Sequence, residues 1–230
     1  MPDLVASLLA AQGVAGVVAQ VRLATQHGLA ARATTYMAAL TRVDAPNDVA
    51  ALRAADGANV LGAALDAFAS RSSALLVQCA LGALDRAWTT RGAHVPAASV
   101  VGAVLDAMAT HAGGDVLVAQ CALRLLRQHA AGDACAALAP RVAEAAGAAM
   151  RAHPADGTVQ DWGAEVVCLL AGLAPAEVAA AHGALGYGRL ATACVAAAVE
   201  ASARPATLLV AGAPWHAKVL AAFPRLRERR

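Results

Sequence analysis

The chain contains no Ile, a single Lys (Lys218) and few aromatics, with three Trp, two Tyr and two Phe among 230 residues. The strand-favouring set is thereby reduced to Val and a few Thr, which excludes an all-β sandwich or barrel. Charge is also sparse: 15% of residues are charged and the net charge is only +2, too little for the basic face or stripe of a nucleic-acid-binding domain. The one local excess of positive charge is a short basic tail at 224–230, with Arg225, Arg227, Arg229 and Arg230 beside Glu228. It reads as a solvated terminus. A 59% hydrophobic content excludes disorder and provides for one core of ordinary size.

Motifs that would mark an enzyme or a metal site are missing as well. There is no His-Glu-x-x-His, no Gly-x-Ser-x-Gly and no Gly-x-x-x-x-Gly-Lys, so neither a catalytic residue nor a metal or cofactor site can be assigned. The glycine-rich Gly183-Ala184-Leu185-Gly186-Tyr187-Gly188 has the wrong spacing for a phosphate loop and no strand before it. It reads as an inter-helix turn. Five cysteines, Cys79, Cys121, Cys135, Cys168 and Cys194, are an odd number without a Cys-x-x-Cys pair. Buried, reduced thiols are expected, and with them a cytoplasmic location, the nucleus being equally compatible.

What remains is helix-forming. Ala accounts for 68 residues and Arg for 17, a skew that GC-rich coding produces and that also favours helix. The stretch Leu4 to Val21 carries no charge for 18 residues. A membrane span needs about 20 strongly apolar residues, whereas this stretch includes Gln12, Gln20, Gly13 and Gly16. The expectation is a buried helix pair broken near Gly13, with no span.

A period then emerges along the middle of the chain. Three segments align: Leu65-Asp66-Ala67-Phe68 leading to Leu76-Val77-Gln78-Cys79-Ala80-Leu81; Leu105-Asp106-Ala107-Met108 leading to Val118-Ala119-Gln120-Cys121-Ala122-Leu123; and Ala148-Ala149-Met150 leading to Val159-Gln160-Asp161-Trp162-Gly163-Ala164. Cys79 to Cys121 is 42 residues, Val118 to Val159 is 41 and Met108 to Met150 is 42. Each unit reads as helix, polar loop, helix. Counting from Leu76, Val118 or Val159, small or apolar residues recur at +4 and +8: Ala80 and Leu84, Ala122 and Leu126, Gly163 and Val167. That is a core-facing stripe, and the small residue at +4 allows a neighbouring helix to come close.

The intervening loops, Ser70–Ser73, Thr110–Asp115 and His153–Thr158, supply Ser, Asp and Thr as helix caps. His111 and His153 recur within them. Asp66 and Asp106 recur one unit apart, either solvated or paired with an arginine of a neighbouring unit. Pro46, Pro96, Pro140 and Pro175 punctuate the units at positions suited to the first turn of a short helix. Clear copies span about 58–180. Residues 3–57 and 181–223 read as degenerate or capping copies, as the ends of a stacked array should be, and no linker divides the chain, so a single domain over 1–230 is expected.

Units of about 42 residues with Val-Gln near a helix start, a small residue four positions later and a Leu stripe ending in Ala resemble the armadillo repeat and its relative HEAT. The best match runs from Met150-Arg151-Ala152-His153-Pro154 through Val159-Gln160-Asp161-Trp162-Gly163 to Leu169-Leu170-Ala171. A tetratricopeptide array has a shorter period, about 34 residues. The resemblance implies an all-α, right-handed α-solenoid of about four to five units, and a scaffold that binds a protein or extended peptide on its concave face.

Family members that hold nuclear-import peptides present a Trp and an Asn at +6 and +10 of the lining helix. This chain has Gly82 and Arg86, Arg124 and Gln128, Glu165 and Leu169, so that peptide specificity does not carry over. The resemblance makes Arg86, Arg124, Gln128 and Glu165, with Trp162 at +3, the candidate partner contacts, a mixed and mildly basic strip. Two other readings stay open: a helical enzyme with an inter-helix active site, and one piece of a larger scaffold.

Overall fold

In the computed structural model, residues 2–70, 72–88, 97–130 and 132–170 are described, and every regular element among them is helical. The chain packs as two compact units, Met1–His111 and Ala112–Arg230. The expected fourth copy at 181–223, the Gly183–Gly188 turn, Cys194, Pro96, Pro175 and the basic tail lie outside the described residues.

In the first unit α1 (Pro2–Gln26) is two helical pieces joined at Gly13, whose φ of 63° and ψ of 169° leave the helix. A side chain would be strained in that backbone conformation, so glycine places the break where the sequence pointed to it, but only the piece after it is buried, since none of residues 7–13 is. Beyond the break Val14, Val17, Val18 and Val21 are buried, an i, i+3, i+4, i+7 stripe set against α2 (Ala30–Leu40), α3 (Pro46–Ala54) and α4 (Gly57–Phe68). α4 also packs on α5 (Ala74–Trp88) and α6 (Ala98–Ala107), and α2 packs on α5. Gly62 is where α4 meets α6: a Cβ there would lie 2.9 Å from a Val100 methyl.

The polar loop expected at Thr110–Asp115 is mostly absent. α6 instead widens into a π-helical turn, Met108–Ala112. Thr110 Oγ1 donates to Asp106 O at 3.0 Å, and His111 turns back into the unit, so the backbone stays coiled through three residues whose composition suggested a loop. Only Gly113–Asp115 remain as the connection.

The described residues of the second unit form α7 (Val116–His129), α8 (Asp133–Ala137), α9 (Ala139–Ala152) and α10 (Gly157–Leu170), with α10 packed against both α7 and α9. The +4 rule holds here most sharply. A Cβ on Gly163 would sit 2.6 Å from Met150 Cγ, so glycine alone lets α9 and α10 approach this closely. Its counterparts Ala80 and Ala122, and the +8 residues Leu84, Leu126 and Val167, are buried as expected. The proline reading divides. Pro46 opens the nine-residue α3, whereas Pro140 stands in the first turn of the 14-residue α9, since a first-turn proline is tolerated whatever length of helix follows.

Candidate functional site

The aligned loops carry equivalent contacts. Asp115 accepts from Val118 N–H at 3.0 Å and Asp156 from Val159 N–H at 2.8 Å, so both cap the helix after the loop. Asp156 also accepts from Gln120 Nε2 at 3.1 and 3.2 Å, which ties α7 to the start of α10. The Val159 N–H, then the Gln120 amide, hold its carboxyl below the ordinary carboxylate range. Gln160 completes the corner by donating to Met150 O at 2.7 Å and His153 O at 3.0 Å.

The histidines repeat with the same geometry. His111 Nε2 lies 2.5 Å from Ala69 O, and His153 Nε2 lies 2.5 Å from Ala112 O. A carbonyl only accepts, so Nε2 carries the proton in both and donates. Each imidazole reaches back about one period, 42 and 41 residues. The sequence showed the recurrence of these histidines but not their partner, because a backbone carbonyl carries no residue signature.

Arg86 sits half-buried near the end of α5, where its Nε donates to Thr41 O at 3.1 Å. Thr41 is the C-cap of α2, so the guanidinium covers a helix end that would otherwise leave a carbonyl unmet. Arg53 does the same for α5, donating from Nε to Ala87 O at 2.9 Å. Of the four candidates in the second unit, Arg124 is half-buried and Gln128 exposed on α7, while Trp162 and Glu165 are half-buried on α10. The last two are brought together by a residue that the +6 and +10 count passed over. Arg127 places its Nη1 2.9 Å from Glu165 Oε2 and its guanidinium carbon 5.3 Å from the Trp162 ring centroid. Its position three residues after Arg124, hence on the same helical face, was the signal available.

Asp66 and Asp106 are both exposed. None of the four described cysteines is in a disulfide; Cys135 and Cys168 are buried, Cys79 and Cys121 only half-buried. Burial pushes the Cys135 thiol up to about 11, which keeps it protonated and unreactive. Among the described residues no group of His, Cys, Asp and Glu is placed to hold a metal ion. Among the described residues one helix, Ser7–Gln26, is long and apolar enough to cross a membrane; it contains the Gly13 break and the buried valines that pack within the first unit. The chain matches no protein-family model, no curated protein and no solved structure.

Proposed function

We propose that the protein is an armadillo- or HEAT-like helical repeat, a right-handed array of about four to five units that acts as a non-catalytic module binding a protein or extended peptide. The observation that carries this reading is the recurring joint: His111 on Ala69 O and His153 on Ala112 O, spaced by one period. A unit that buries its apolar face only by stacking on a copy of itself needs the same contact at the same register each time. Paired helices at 57–68 and 74–88, and again at 139–152 and 157–170, support the same unit. The binding strip runs over Arg124, Gln128, Trp162 and Glu165, extended by Arg127. Arg86 has its guanidinium on Thr41 O and contributes mainly to the fold. Described cysteines outside any disulfide suit a reducing compartment, the cytoplasm or the nucleus.

The test is affinity capture on the full chain, comparing wild type with a Gln128→Ala, Trp162→Ala variant of unchanged helicity. A protein held by wild type, lost by the variant and bound again as a purified partner is the expected result. Capture of the same set by both forms, or of nothing by either, overturns the proposal.

A further inference from the structure

Trp162 and Glu165 stand three residues apart, on one side of α10. An aromatic face beside a carboxylate attracts an organic cation by two routes at once. α10 carries Asp161 and Glu165 but neither Lys nor Arg, and Asp156 stands just before it. The cation seated here, Arg127, is supplied by α7: its guanidinium lies 5.3 Å from the ring centroid and 2.9 Å from Glu165 Oε2. The contact is partly open to water, with Arg127 and Glu165 side chains 34% and 25% exposed. An ion pair that water reaches contributes only modestly to stability, so one guanidinium can replace another there at modest cost.

We propose that Trp162 and Glu165 form the receptor for an arginine side chain of the bound segment, and that Arg127 occupies it in the free protein as an internal stand-in. The proposal rests on the binding-module reading and gives its partner a chemistry: an extended segment bearing arginine. An acidic segment would meet Glu165 with like charge, and a lysine would lack the planar group that stacks on indole while pairing with a carboxylate. Because the stand-in must leave before the partner enters, apparent affinity falls by the fraction of molecules in which the site is closed.

The experiment follows the Trp162 indole N–H resonance of the full chain, assigned with Trp162→Phe, during titration with a capped Gly-Arg-Gly-Arg-Gly peptide and with its uncharged citrulline counterpart. In Arg127→Gln the arginine peptide should half-saturate at a concentration roughly five- to tenfold lower than in wild type. Adding Glu165→Gln should reverse that gain, and the citrulline peptide should move the resonance in neither protein. Arg127→Met, which keeps the aliphatic cover of the ring, should behave like Arg127→Gln. Unchanged half-saturation in both Arg127 variants, or an equal response to citrulline, would show that Arg127 is only a brace between α7 and α10. The titration reads one indole, so its failure leaves the capture result standing, and failed capture leaves the titration interpretable.

Discussion

α5 and α7 carry the same apolar spacing in two settings. Both carry a buried small residue at +4 and a buried Leu at +8, Ala80 and Leu84 in one, Ala122 and Leu126 in the other, and both end in an arginine that reaches another helix. Arg86 reaches back to a backbone carbonyl on Thr41, with Gly82 leaving room for the Thr41 methyl, 3.1 Å from where a Cβ would be. Arg127 reaches forward to two side chains, Glu165 and Trp162. A carbonyl acceptor survives any substitution of its own residue, so the α5 contact is a fixed part of the fold. The α7 contact is made between side chains that are partly open to water. It can be exchanged, and it is therefore where binding is proposed.

The largest effect should come from the packing of α10 on α9. Gly163→Leu must displace Met150, and a loss of about 1–3 kcal/mol or more is expected by chemical denaturation. Gly102→Ala, in an α6 position with nothing within 4 Å, should be neutral or gain up to about 1 kcal/mol. Equal losses at the two sites would mean that close helix approach is not what Gly163 provides.

Next in size are the histidine contacts, one inside each unit. His111→Ala and His153→Ala each leave a carbonyl without its donor, and each should cost about 1–3 kcal/mol. Similar values would sharpen the equivalence of the two units. A loss in one variant only would break it.

The arginines themselves should separate more finely. Arg86→Gln removes a charged donor from a helix end and should cost about 1 kcal/mol, whereas Arg127→Gln should cost between 0 and about 1 kcal/mol. The reverse order in thermal melts would contradict the distinction between a fixed and an exchangeable contact.

A pH series distinguishes the corner around Asp156. Its folded pKa is lowered, so its contribution is present above the unfolded carboxylate value, about 3.9, and is lost as pH falls through the lower folded value. Wild type should be more stable than Asp156→Asn near neutrality, and the two should converge in acid below about pH 4. The smallest effect is kinetic. At pH 8 alkylation should reach half-buried Cys79 and Cys121 before Cys135, whose thiol is held protonated up to about 11.

Much of the frame was legible in the residues. Helix-forming composition, the +4 and +8 stripe, the Gly13 break and the Asp115 and Asp156 caps are local features, and local features are written in spacing. At 110–115 polar residues and a following glycine pair suggest a turn, yet a side-chain bond to Asp106 O and the reach of His111 to Ala69 O keep most of that backbone coiled. Arg127 was passed over because counting positions from the family pattern selects residues by register, and its partners lie on another helix.

The sequence by itself determined that the chain is helical, where its helices break and which faces they bury, because helix propensity, glycine backbone freedom and apolar periodicity act within a few turns of chain. Only the tertiary structure decided which carbonyl each repeated histidine meets, and that Arg86 ends on backbone while Arg127 ends on Trp162 and Glu165. Those partners lie 35 to 45 residues away. Long polar side chains choose among acceptors only once packing has brought the helices together.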